Sequence, residues 1–276
     1  MAAARTEPRL QVWRTVAQAY ALTFRNFSYL LRISWAWVLL MIPISFAFHS
    51  FMFLLGWHDS TRVSYFGSLF YNVSSTLLFL PFLASIAVAW HRRLLADDVW
   101  PRRVYLRLDR TVVGYLGLSA LISFLFEGPM TLMPTGNLFE VIKEAGWSGW
   151  LLLGVVLTTV AGLVLSTKIW LALPARALGR REITIRQAWT GSHRNVLRLI
   201  LGSVLCSLPI FVLLLIFIII FNLDWTNENQ IILFATYQTL SEFGITFLAG
   251  IPVISFLSLA YRDLIEDSTT LRSHDP

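Results

Sequence analysis

Six apolar stretches, five of them long enough to cross a lipid bilayer and the third, 111–126, long enough only with an earlier start at Leu106, alternate along this chain with polar connections, and that alternation points to an all-helical membrane bundle. Lipid offers no hydrogen bonds, so backbone N–H and C=O groups inside it must be satisfied within their own segment or in a closed barrel. Segments of about twenty residues do this as helices, rising ~1.5 Å per residue against a ~30 Å hydrocarbon core. The stretches fall at 33–55, 66–90, 111–126, 147–173, 199–221 and 231–261. Composition agrees: 56% of the residues are hydrophobic and 14% are charged, too few charges to coat a soluble domain of 276 residues. The expected organisation is a cytoplasmic amphipathic segment at 1–32, a six-span domain at 33–261 and a polar tail at 262–276.

The arginines sort by connection. Arg92, Arg93, Arg102, Arg103, Arg107 and Arg110 follow the second span, and Arg176, Arg180, Arg181, Arg186, Arg194 and Arg198 follow the fourth. The three alternate connections hold only Arg62 and Lys143. The positive-inside rule then places both termini in the cytoplasm. The formal charge of +6 thus reads as topology and attraction to anionic lipid, with nucleic acid excluded as a partner. The charged first residues have no apolar core of a cleavable signal. Trp35, Trp37, Trp57, Trp90, Trp147, Trp150 and Trp170 sit near proposed boundaries, as interfacial anchors do.

Two segments repeat. Residues 18–30, QAYALTFRNFSYL, and 187–199, QAWTGSHRNVLRL, align without a gap, and each leads into a span. The same offset lays Arg93-Leu94-Leu95-Ala96-Asp97-Asp98 on Arg262-Asp263-Leu264-Ile265-Glu266-Asp267. Spans one and two therefore correspond to spans five and six in parallel orientation. The ending Arg176-Ala177-Leu178 makes a third related hairpin conceivable. Before the first span, Val12, Val16, Tyr20, Phe24 and Phe27 form a helical stripe, suited to a helix lying in the interface or packed beneath the bundle.

Candidate chemistry is sparse. Glu242 is the one carboxylate well inside an expected span, with Gln238 and Thr246 on the same helix, so these three form a candidate polar intramembrane site. The competing placement puts Glu242 at the periplasmic interface, in a helix capped at Thr226 or Asn227. Lys168 and Arg32 read as snorkelling anchors. His49, His58 and Asp59 lack metal-ligand spacing, and His91, His193 and His274 read as solvated or lipid-facing. Cys206 is a lone apolar-run cysteine, and the span serines and threonines suit helix packing. No nucleophile elbow, phosphate loop or metal motif occurs, so no catalytic residue, cofactor or metal is expected.

The stretch Ala172-Leu173-Pro174-Ala175-Arg176-Ala177-Leu178, followed by Ile183-Thr184-Ile185-Arg186-Gln187-Ala188-Trp189 and Arg194-Asn195, resembles a bacterial group. These are six-span inner-membrane proteins related to the membrane domain fused to some glycerophosphoryl diester phosphodiesterases. The resemblance covers about a quarter of the chain and implies a bacterial inner membrane. The phosphodiesterase catalytic domain has no counterpart, so its activity is not implied. Thr184 with Gln187 also fits a capping box.

The function expected from these residues is non-enzymatic: organisation of lipid or a partner complex at the cytoplasmic leaflet. Arg93, Arg102, Arg103, Arg180, Arg181, Arg186, Arg194 and Arg198 are the candidate contacts to anionic lipid, to a membrane-protein partner or to a second copy of the chain. The competing reading is a small-solute transporter or channel subunit using Glu242, and the third is an intramembrane enzyme acting on lipid.

Overall fold

The computed structural model describes residues 9–55, 65–99, 105–131, 148–180, 183–221 and 231–266. The expectations for Trp57, His58, Asp59, Arg62, Arg102, Arg103, Lys143, Trp147, Arg181 and His274 lie outside the described residues, as do the side chains of Gln238, Glu242 and Thr246. The elements are helices, with no strand among the described residues: α1 (Val12–Arg25), α2 (Phe27–Leu54), α3 (Tyr65–Ala96), α4 (Arg110–Thr131), α5 (Ser148–Trp170), α6 (Ala172–Ala177), α7 (Ile185–Ser192), α8 (Val196–Phe221), α9 (Ile231–Phe243) and α10 (Gly250–Tyr261). A π-helical stretch, Gly244–Ala249, joins α9 to α10, and a second, Arg262–Glu266, extends α10.

Five described segments are long and apolar enough to cross a membrane: Phe27–Leu54, Phe70–Ala96, Leu153–Trp170, Val196–Ile216 and Phe247–Glu266. The chain is an all-α, multi-pass membrane protein. α4 adds a shorter apolar stretch, Arg110–Phe126. It also runs on through Pro129 to Thr131, past the end expected at 126. A proline removes one i→i−4 bond but does not forbid the turn after it.

The segment containing α10 is the central strut. Within its apolar window 72% of residues are buried, against 22% for the α8 segment. α10 packs against α1, α3 and α8, whereas α9 lies along α2 and α4 lies between α3 and α5. Phe256 of α10 is fully buried, and a Cβ placed on Gly202 of α8 would lie 2.1 Å from its ring, so only glycine permits this approach. Most of the exposed large apolar residues of α8, among them Leu197, Leu201, Val204, Leu208, Phe211 and Leu215, form a ridge suited to lipid.

The helices begin and end for local reasons. Thr184 caps α7 by accepting from the Gln187 amide at 3.4 Å, and the Gln187 side chain accepts from the Thr184 amide at 2.8 Å, completing the capping box. Pro174 falls in the first turn of α6, where its missing N–H costs nothing. α6 ends at Gly179 with φ +74°, and the Arg180 amide reaches back to the Ala175 carbonyl at 3.0 Å in a Schellman turn. Asp109 caps α4 by accepting from the Thr111 and Val112 amides, each at 3.0 Å.

α1 is not a free interfacial helix. Thr15, Val16, Ala19 and Thr23 bury a narrow face against α8 and α10, and the Tyr20 hydroxyl donates to the Cys206 carbonyl at 2.7 Å. Of the expected stripe, Val16 is buried while Phe24 is 71% exposed. The buried face is displaced toward small residues because these allow the closest approach of two helices.

Candidate functional site

The ends of the helices that carry the arginines converge, and the polar groups there are knitted together below the surface. Trp90 of α3 donates from Nε1 to Ser255 Oγ of α10 at 2.7 Å, and Ser255 also meets Thr23 Oγ1 of α1 at 3.0 Å. The next residue, His91, is fully buried, with Nδ1 2.7 Å from the Oγ of Ser258, one turn beyond Ser255, and Nε2 3.3 Å from the Tyr115 hydroxyl of α4. Each of these groups has its partner on another helix, so the set fixes α1, α3, α4 and α10 in one arrangement.

This overturns two expectations. His91 was placed among solvated or lipid-facing residues, yet its ring lies in the core between Ser258 and Tyr115. Trp37 and Trp90, read as interfacial anchors, are 5% and 0% exposed. Trp37 packs edge-on against Phe82, with ring centroids 5.4 Å apart. A tryptophan near a span end can serve as anchor or as core, and a single sequence carries nothing that separates the two. Trp35 and Trp150, 43% and 80% exposed, do face outward.

The α3–α4 connection is pinned onto the same end. Tyr105 is buried and donates to the Ser85 carbonyl at 3.1 Å, while Ser85 Oγ donates to the Arg107 carbonyl at 2.7 Å. Burial pushes the Tyr105 phenol up to about 12. Burial alone would raise the Asp109 carboxyl, but the Val112 amide, the Arg107 guanidinium and the Thr111 amide together hold it below the usual carboxylate range.

The candidate arginines divide into two kinds. Arg180 pairs with Glu266 and reaches the Tyr261 hydroxyl at 3.4 Å, and Arg198 donates to the Leu10 carbonyl at 3.1 Å. Arg92, read by the sequence as part of a topology-setting and lipid-seeking cluster, donates to the Ala177 carbonyl at 2.8 Å. These three brace the fold. Arg186 and Arg194 are exposed on and just after α7. Lys168 places its ammonium 4.1 Å from the centre of the Trp189 ring, so it meets a side chain of α7.

Arg93 belongs to a separate grouping. Its guanidinium lies 5.7 Å from the centre of the Tyr29 ring, and that of Arg32, on α2, lies 5.2 Å from the same ring. Ser28, Tyr29, Arg32, Arg93 and Val99 line a cavity of about 340 Å³ between the start of α2 and the end of α3. Arg93 is also paired with Asp97 and reaches Asn26 Oδ1 at 3.4 Å. The sequence named Arg93 as a lipid contact and Arg32 as an anchor, but no periodicity brings residues sixty-one positions apart to one ring.

On the opposite half of the bundle, Ser45 Oγ of α2 donates to Thr239 Oγ1 of α9 at 3.4 Å, and His49 Nδ1 lies 3.1 Å from the Tyr71 hydroxyl of α3. Among the described residues no three His, Cys, Asp or Glu side chains are grouped to hold a metal ion. Neither protein-family models, curated proteins nor solved structures give a match to this chain. The resemblance to the phosphodiesterase-associated membrane domain therefore rests on its sequence motif alone.

Proposed function

We propose that this protein is a non-enzymatic, six-span inner-membrane protein of bacteria that organises anionic lipid, or a partner held by that lipid, at the cytoplasmic leaflet. The observation that carries the reading is the division of the arginines at one braced end. Arg92, Arg180 and Arg198 hold the helices together, Arg180 while itself exposed, Arg186 and Arg194 also stand exposed, and Arg32 and Arg93 border a cavity. A rigid end carrying outward cations suits an anionic surface, where each arginine contributes about 1 kcal/mol of attraction. In this reading the basic end is cytoplasmic, as the positive-inside rule requires. α4, the third span in chain order, supplies the remaining crossing with its 22 residues from Arg110 to Thr131.

A parallel repeat of hairpins accompanies the proposal. α2 begins at Phe27 and α8 at Val196, the same offset that aligns the two sequence motifs. Both helices are preceded by an asparagine whose carbonyl accepts from a leucine four residues on, Asn26 from Leu30 at 3.0 Å and Asn195 from Leu199 at 2.8 Å.

The test uses protein purified from mixed bilayers, with retained lipid identified by native mass spectrometry. Phosphatidylglycerol should be retained over phosphatidylcholine, and Arg186→Gln with Arg194→Gln should reduce that preference. Equal retention of both lipids by the unaltered protein contradicts the proposal.

The transporter reading keeps one observation in its favour. The backbone changes from α-helix to π-helix at Gly244, two residues after Glu242, and Thr239 one turn earlier reaches across to Ser45. π-helical turns recur at functional sites. Proteoliposomes bearing Glu242→Gln test it: loss of a solute flux with retained fold supports transport, and an unaltered flux opposes it.

A further inference from the structure

The cavity between α2 and α3 has the makings of a site for one phospholipid. Two guanidiniums border it, from Arg32 and Arg93, and both lie against the Tyr29 ring at 5.2 and 5.7 Å. A guanidinium presents its donors in a planar fork matched to phosphate oxygens, and two converging on one space favour an anion between them. Arg93 pairs through Nη1 with Asp97, which is 89% exposed, and donates from Nη2 to Asn26 Oδ1 at 3.4 Å, so an incoming phosphate would take the place of a solvated carboxylate and a long bond to a neutral amide. Ser28 adds a hydroxyl on the same wall. The volume of about 340 Å³ suits a glycerophosphate headgroup.

What lies beyond the cavity separates a lipid from a soluble anion. Ser28, Leu31, Arg32, Trp35 and Leu39 share one face of α2, the last four lying three, four, seven and eleven residues after Ser28. Leu31, Trp35 and Leu39 are 51%, 43% and 63% exposed, so an apolar track runs from the cavity along the span. Headgroup charge above and acyl chains below is the order a phospholipid presents.

Resting on the lipid-organising reading, we infer that Arg32 and Arg93 clamp the phosphate of a single anionic glycerophospholipid against Tyr29 while its chains lie along Leu31, Trp35 and Leu39. The expected ligand class is a phospholipid without a cationic headgroup amine, since a choline or ethanolamine group would meet the same two arginines.

The first measurement uses the unaltered protein, with arginine modification by phenylglyoxal mapped by peptide mass spectrometry. Nanodiscs of phosphatidylglycerol should protect Arg32 and Arg93 over nanodiscs of phosphatidylcholine, whereas inorganic phosphate added to the latter should not. Protection by inorganic phosphate to the same degree would overturn the lipid assignment, and modification that does not depend on the lipid would overturn the site. The second measurement compares Arg32→Gln/Arg93→Gln with Arg186→Gln/Arg194→Gln by native mass spectrometry. The cavity pair should lose a tightly held phosphatidylglycerol with affinity reduced at least about tenfold, and the α7 pair should keep it. If the unaltered protein selects anionic lipid but the cavity variant retains it equally, the clamp is wrong and the broader reading stands. If the unaltered protein shows no selection, both fall.

Discussion

Arg198 holds Leu10 across 188 positions of the chain: its guanidinium donates to the Leu10 carbonyl at 3.1 Å, and the amide of the same leucine donates to Asn195 Oδ1 at 3.1 Å. Leu10 is buried, so both bonds replace water that its backbone cannot reach. The residues before the first span are thereby fastened to the start of α8. Asn195→Ala should leave a buried amide unsatisfied and cost about 1–3 kcal/mol, while Asn195→Asp, which keeps the acceptor, should cost less. Thermal unfolding in detergent reads the difference, and equal loss in the two variants would refute the bond as its source.

Gly202 carries a steric prediction. Its α-carbon faces the Phe256 ring so closely that an added Cβ would lie 2.1, 2.4 and 2.8 Å from three ring carbons. Phe256 is fully buried and cannot swing away freely. Gly202→Ala should destabilise by about 1–3 kcal/mol, and Phe256→Leu in that background should recover part of the loss. A second substitution that only worsened the melting temperature would show that the contact is not the cause.

Ser255 receives the Trp90 Nε1–H and meets Thr23, so it joins three helices through one hydroxyl. Ser255→Ala should cost about 1–3 kcal/mol through the orphaned indole donor. Adding Trp90→Phe should make the two changes less than additive, because the second removes the donor the first orphaned. Additive losses in the four-way comparison would argue against the shared bond.

Asp109 supplies the pH dependence. Its carboxyl is held below the ordinary carboxylate value in the fold, so its contribution is present above that ordinary value, about 4, and is lost as pH falls through the lower folded value. Asp109→Asn keeps a cap for α4 but has no charge to titrate. Between pH 5 and pH 3 the unaltered protein should therefore lose more stability than the variant. Parallel curves through that window would contradict the assignment.

Five long apolar helices were legible because lipid imposes one backbone solution, and the capping box at Thr184 because its two partners are three residues apart. The start of each repeated span was legible only coarsely, because the sequence placed the entries at 33 and 199 whereas the helices begin at Phe27 and Val196. Long-range pairings were not legible. His91 meets Ser258 across 167 positions and Arg32 shares Tyr29 with Arg93, and in both cases the local sequence is an ordinary basic span end. Arginine counts gave the charge of that end, but only packing separates Arg92, Arg180 and Arg198, which brace it, from Arg186 and Arg194, which it presents.

The measurement that bears most directly on this account is the side of the membrane reached by the arginine-bearing end. Single cysteines at Trp100 and Arg194 can be compared with cysteines at Ser60 and Glu140, in a background where buried Cys206 is replaced by serine. An impermeant maleimide applied to intact cells should label positions 60 and 140 and reach 100 and 194 only after lysis. Labelling of 100 and 194 from outside would turn the basic end away from the cytoplasmic leaflet and contradict the proposal.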